Sequence, residues 1–168
     1  MKYADAKNLI GTQVRAWTAM NGYYVGELVE IFGSPWRGKV RITGVLKPAA
    51  FETARGNRQR RGMRPGDEIE VGGTNIAPID APGTSYLEAL VEELNLETRM
   101  LGEAGPKDMG WLTRSVELRK QQIEAERAAA HAVSIRVAMG SDALAFARAE
   151  QAASPGAFWD EVVRMLYR

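Results

Sequence analysis

The stretch Thr12-Gln13-Val14-Arg15-Ala16-Trp17-Thr18-Ala19-Met20-Asn21-Gly22-Tyr23-Tyr24-Val25 sets two alternating runs around one Asn-Gly pair. Val14 and Ala16 fall opposite Arg15 and Trp17, because strand side chains alternate between faces. Asn-Gly accepts the positive φ of a type I′ turn, the strongest short hairpin signal. The stretch therefore predicts a strand over Thr12–Ala19, a tight turn, and a second strand over Tyr23–Phe32. Tyr23, Val25, Val29 and Ile31 share one parity of the second run.

Outward from this hairpin the alternation continues. Gly33-Ser34-Pro35 ends the second run, and a third strand is predicted over Gly38–Leu46. A long connection follows, closed by the turn signal Pro65-Gly66-Asp67. Glu68–Val71 reads as a fourth strand, Gly72-Gly73 as a tight turn, and Thr74–Ile79 as a fifth strand. Five short strands joined mostly by hairpins indicate a small barrel or a strongly bent sheet.

The residues Gly11-Thr12-Gln13-Val14, Gly26-Glu27-Leu28-Val29-Glu30-Ile31, Val40-Arg41-Ile42 and Gly73-Thr74-Asn75-Ile76-Ala77-Pro78 carry a resemblance to the SH3-like small barrels, in their Tudor-like and KOW-like branches. The resemblance covers roughly the first half of the chain. It implies an SH3-like β-barrel over residues 1–80; an OB-type barrel is the alternative. The tight Asn21-Gly22 hairpin separates it from peptide-binding SH3 domains, which carry a long loop there.

Past the linker Asp80-Ala81-Pro82-Gly83 the pattern turns helical. Ser85-Tyr86-Leu87-Glu88 fits a capping box. Leu87, Leu90, Val91, Leu94 and Leu101 then recur at helical spacing, so a helix is predicted over Tyr86–Leu101. Gly102-Glu103-Ala104-Gly105-Pro106 ends it. A long helix is predicted over Trp111–Met139, with Val116, Ile123, Ala130 and Val137 seven residues apart. Its last part, Ala128–Met139, is nearly apolar all round and must bury against something. Ser141 can cap a third helix to about Ala153. Ser154-Pro155 starts a last one, with Phe158, Trp159, Val162, Val163 and Leu166 on one face. The predicted class is α+β: a five-stranded SH3-like barrel over 1–80, then a bundle of about four helices over 81–168.

Composition narrows the chemistry. The 168 residues include no Cys and one His, which excludes disulfides, thiolate-bound zinc and a cysteine nucleophile. His131 has Arg127 and Ile135 one turn away, so neither an orienting carboxylate nor a second ligand accompanies it on its helix. Glu68 and Glu70 share a strand face and read as solvated; Glu92, Glu93 and Glu97 on their helix read as a solvated face or a surface that meets a basic partner. Gly102–Lys107 lacks phosphate-loop spacing and the hydroxyl residue after Lys. No cofactor or metal is expected, and no enzyme. The first ten residues lack a signal-peptide core and no run is long enough to span a membrane, so a cytoplasmic protein without membrane contact is expected.

One segment stands above this background. Arg55-Gly56-Asn57-Arg58-Gln59-Arg60-Arg61-Gly62-Met63-Arg64, within the long loop 48–66, carries five Arg in ten residues and no acid. Arg37, Lys39, Arg41 and Lys47 lie on or beside the third strand. Residues 1–80 hold 12 bases and 8 acids, net +4; residues 81–168 hold 10 bases and 13 acids, net −3. The overall charge of +1 thus conceals a basic half and an acidic half. Arg suits phosphate through its fork of donors, and aromatic side chains offer stacking surfaces. Trp17, Tyr24 and Trp36 complete a candidate binding surface with Arg37, Lys39, Arg41, Arg55, Arg58, Arg60, Arg61 and Arg64. Its expected partner is nucleic acid, RNA or DNA. The alternative is an acidic protein surface, with the chain acting as an adaptor, structural subunit or inhibitor through its helices, which could also form a homo-oligomer.

Overall fold

The structure, a computed structural model, describes residues 3–18, 22–49, 63–79 and 81–167. A five-residue helix α1 (Tyr3–Lys7) precedes the strands and buries Ala6; the sequence pattern gave no sign of it. Strands β1 (Gln13–Thr18), β2 (Gly22–Phe32), β3 (Arg37–Lys47), β4 (Glu68–Gly72) and β5 (Ile76–Pro78) follow. They form one five-stranded sheet in the order β4-β3-β2-β1-β5, with every neighbouring pair antiparallel. Successive strands pair through β1 to β4, and β5 returns to the free edge of β1.

Alternation sets the core. Val14 and Ala16 of β1, Tyr24 and Leu28 of β2, Val40 and Ile42 of β3, and Ile69 and Val71 of β4 are all buried. Gln13, Arg15, Arg41, Glu68 and Glu70 face outward. The sheet is strongly curved: a Cβ placed on Gly38 of β3 would lie 2.4 Å from Ile76 Cδ1 of β5, although three strand positions separate the two in the sheet. Three register shifts between β2 and β3 provide that curvature. The tight turn expected at Gly72-Gly73 is instead a short 3₁₀ turn over Gly73–Asn75, and the fifth strand is shorter than its alternation suggested. Gly22 has φ +98°, but it pairs with Thr18 as the first residue of β2, so it is not a central residue of the two-residue Asn-Gly turn that the sequence predicts. Asn21 lies outside the described residues.

The helices are α2 (Tyr86–Gly102), α3 (Pro106–Met139), α4 (Ala143–Ala153) and α5 (Ala157–Leu166). Ser85 caps α2 as its spacing predicts, with the Ser85 hydroxyl accepting from Glu88 N–H and the Glu88 carboxylate accepting from Ser85 N–H. Helix α2 packs on β3, and Lys47 pairs with Glu93 at 3.5 Å. Glu97 is buried, against the expectation of a solvated face. The change from strand to helix falls between Pro78 and Tyr86, but the chain divides into compact units within α3, at residues 1–116 and 117–168.

Helix α3 runs through that boundary. Leu112, Val116, Arg119 and Ile123 are buried along one stripe. Ala128, Ala132 and Ile135 are buried along another, and join Ala143 and Ala147 of α4 and Val162 of α5 in the core of the second unit. Ile123 to Ala128 is five positions, about 140° of helical rotation. The seven-residue series breaks accordingly: Val116 and Ile123 are buried, whereas Ala130 is exposed and Val137 is 82% exposed.

Candidate functional site

The third strand carries the predicted cations into an ordered row. Gln13, Glu27, Arg41 and Glu68 stand directly opposite one another across β1, β2, β3 and β4. Arg41 reaches Glu68 at 3.1 Å and Glu27 at 3.9 Å. Lys39 reaches Glu68 at 3.8 Å and stands opposite Glu70. Arg37 donates to the Glu70 backbone carbonyl at 3.5 Å. The charges of Lys39 and Arg41 are thus balanced by carboxylates of adjoining strands. Such half-exposed pairs contribute about 0–1 kcal/mol each to stability. Their larger effect is on the field of this face, which alternates in sign and does not sum to a positive patch.

The aromatic residues separate. Tyr24 is fully buried, and its hydroxyl accepts a hydrogen bond from Met63 N–H at 3.1 Å. Burial holds the Tyr24 phenol above its usual range. It therefore offers no surface to a ligand. Trp36 is half-buried and lies flat on Gly73, where a Cβ would come within 1.9 Å of its ring. The Gly73 N–H donates to the Trp36 carbonyl at 3.0 Å. Trp17 is half-buried as well. It stacks on Tyr23 across β1 and β2, with ring centroids 6.3 Å apart and planes at 14°. Arg15 lies over its ring at 5.1 Å. Tyr23, which the sequence placed on the opposite face from Tyr24, is the exposed partner.

Arg64 sits at the end of the Arg-dense segment. Its guanidinium lies over the Tyr86 ring at 5.6 Å, and its backbone N–H donates to Asp67 at 2.9 Å. Arg55, Arg58, Arg60 and Arg61 lie outside the described residues. The predicted surface is thus not one constellation: Lys39 and Arg41 belong to an ion-pair row, Tyr24 to the core, Trp36 to the β4–β5 connection, and Trp17 to a separate stack with Arg15.

In the second unit Ala128–Met139, nearly apolar all round, buries Ala128, Ala132 and Ile135 against α4 and α5 as expected, while Val133 is 63% exposed and Val137 82%. Both continue the stripe that Leu112, Val116 and Ile123 bury earlier on α3. Phe158 and Met139 add further exposed apolar surface in this unit. His131 is exposed, with its ring against Phe158 and Trp159 at 5.5 and 5.4 Å. Among the described residues no group of three or more acidic or His side chains is gathered to hold a metal, and no helix is long and apolar enough to cross a membrane.

No protein-family model matches the chain, and no curated protein matches it. Among solved structures it is similar to kinase-associated protein B from Bacillus cereus, with a TM-score of 0.56 and 20% sequence identity. The similarity covers 70% of this chain and 96% of that one. At this identity the likeness concerns the fold.

Proposed function

We propose that this chain is a non-enzymatic protein-association factor, an SH3-like barrel carrying a helical unit that docks on another protein. The observation that carries this reading is the bare stripe of α3, where Val133 and Val137 stand 63% and 82% exposed. Two large β-branched side chains one turn apart on a helix form an apolar strip of the kind partner surfaces cover. The ion-pair row supports the same choice, because Lys39 and Arg41 already meet carboxylates and are poor candidates for phosphate contacts. The similar solved structure is itself named a kinase-associated protein, which is consistent with an associating role. The SH3-like assignment of the sheet rests on its strand order, on the return of β5 to β1, and on the contact of Ile76 with the Gly38 position.

The test is affinity purification from native cells, comparing the wild-type chain with a Val133→Glu, Val137→Glu variant. A protein recovered in near-stoichiometric amount with the wild type, insensitive to nuclease and lost with the variant, is the expected result. Recovery of nucleic acid alone would overturn the reading.

A nucleic-acid role is the second reading, and the Arg15–Trp17–Tyr23 stack favours it, since an aromatic pair with one exposed ring, Tyr23, and a flanking Arg suits unpaired bases. It predicts RNA or DNA binding that weakens steeply with salt and is lost in Trp17→Ala.

A further inference from the structure

The second unit also holds an open-mouthed cavity of about 490 Å³ between residues of α3, α4 and α5, with Ser134, Ala138 and Met139 exposed at its rim. Its lining is mostly apolar, with Ile135, Ala138 and Met139 from α3, Phe146 from α4 and Trp159 from α5, and it also includes His131 and Ser134 of α3. Trp159 is fixed by edge contacts, with the His131 ring at 5.4 Å and 73° and the Phe158 ring at 5.5 Å and 80°. The lining includes one carboxylate, that of Glu150, and it is half-buried. Among the described residues no hydrogen bond or ion pair engages that carboxylate. His131 is the one basic side chain on the lining, and three arginines of this unit are engaged elsewhere. Arg136 donates to the carbonyls of Met165 and Leu166, Arg148 donates to the Tyr167 hydroxyl, and Arg164 pairs with Glu161.

An apolar cavity with aromatic walls and one uncompensated carboxylate has a definite chemical complement. A neutral apolar side chain would fill the volume but leave a half-buried charge beside it. A basic side chain satisfies both parts: its methylene stem lies on Ile135, Ala138 and Met139, and its cationic head meets Glu150 and the faces of Trp159 and Phe146. A guanidinium suits this best, being planar and weakly hydrated. We infer that this cavity receives an Arg side chain presented by a partner protein, with Glu150 as its counter-charge and Trp159 as its aromatic wall. This rests on the protein-association reading and adds to it the chemistry of the partner's anchor.

The full-length ¹⁵N-labelled chain is titrated with N-acetyl-arginine methyl ester, and separately with N-acetyl-norleucine methyl ester as its uncharged counterpart. The indole N–H signal of Trp159, assigned by its loss in Trp159→Phe, reports occupancy. The arginine ester should shift that signal saturably, and Glu150→Gln should weaken it about 3- to 10-fold while leaving the norleucine ester unchanged. An unmoved Trp159 signal overturns the inference. So does equal binding of the two esters, or an arginine affinity indifferent to Glu150→Gln. The Val133, Val137 variant leaves the cavity lining intact. Loss of the captured partner with a silent Trp159 therefore rejects the Arg anchor alone; an Arg-selective cavity with no captured protein rejects the association reading alone.

Discussion

Gly44 and Gly83 meet backbone against backbone: a Cβ on Gly83 would lie 2.8 Å from both the Gly44 carbonyl carbon and the Val45 nitrogen. This contact lets the segment before α2 lie along β3, where Val45 and Thr84 exchange backbone hydrogen bonds of 2.8 and 3.0 Å. The obstructing atoms are main chain, so no side chain can swing aside. Gly83→Ala should destabilise the first unit by about 1–3 kcal/mol, the range for overpacking. Urea denaturation followed by intrinsic fluorescence measures it, and an unchanged midpoint would show that the segment can lift from β3 without cost.

Tyr24 couples the core to the end of the Arg-dense segment through its bond from Met63 N–H. Tyr24→Phe removes the acceptor, at about 1 kcal/mol. The pH dependence identifies the group. Burial raises the folded phenol above its ordinary 10.0, so the folded state holds that proton more tightly than the unfolded chain. The associated stability is complete below pH 10 and declines as pH rises towards the folded value. The stability difference between wild type and Tyr24→Phe should therefore shrink above pH 10. A constant difference would place the phenol in an unperturbed environment.

Much of this architecture is legible in the sequence because it rests on local rules. Alternation around Asn21-Gly22 located β1 and β2, and Ser85 with Glu88 located the start of α2. What local pattern misses depends on tertiary partners. Trp17 and Trp36 look alike in composition, yet only Trp36 meets a glycine, Gly73, against which it can lie flat. The basic residues of β3 read as a patch because Glu27 and Glu68 are far away in the chain; pairing across three strands brings them beside Arg41. The apolar end of α3 must bury against something, and which face does so is decided by α4 and α5, which cover Ala128, Ala132 and Ile135.

The cap of α2 should respond to acid. Hydrogen bonds from the Ser85 hydroxyl and backbone hold the Glu88 carboxyl below its usual range. That contribution is present above the unfolded carboxyl value and is lost as pH falls through the lower folded one. Ser85→Ala should cost about 1 kcal/mol at neutral pH, the usual loss for a capping hydroxyl. The deficit should narrow towards pH 3 in thermal melts followed by circular dichroism. An equal deficit at both pH values would mean the Glu88 half of the box contributes nothing.

The two faces of α3 should differ sharply under mutation. Ile135 is 6% exposed and packs in the core of the second unit, so Ile135→Ala should cost about 2–5 kcal/mol. Val137 is 82% exposed, and Val137→Glu should stay within about 0.5 kcal/mol. Calorimetric unfolding of the two variants compares them directly. A large loss for Val137→Glu would show that the stripe is already covered, by self-association in solution, and a concentration-dependent melting temperature would accompany it.

The ion-pair row makes one prediction about charge and binding together. Glu68 is the carboxylate shared by Lys39 at 3.8 Å and Arg41 at 3.1 Å. Glu68→Gln keeps the shape of the strand face, removes the carboxylate that Lys39 pairs with, and leaves Arg41 only its longer pair with Glu27 at 3.9 Å. Because the pairs are half-exposed, stability should fall by under about 1 kcal/mol. Binding to a fluorescent single-stranded oligonucleotide at low salt should strengthen, because the face gains net positive charge, and the gain should disappear at moderate salt. Glu70→Gln, whose carboxylate stands one place along β4 and opposite Lys39 alone, should give a smaller gain. If neither variant alters binding, then Lys39 and Arg41 are not what limits contact with nucleic acid. If the wild type already binds as tightly as Glu68→Gln, the carboxylate row does not mask those cations, and the second reading of this protein gains over the first.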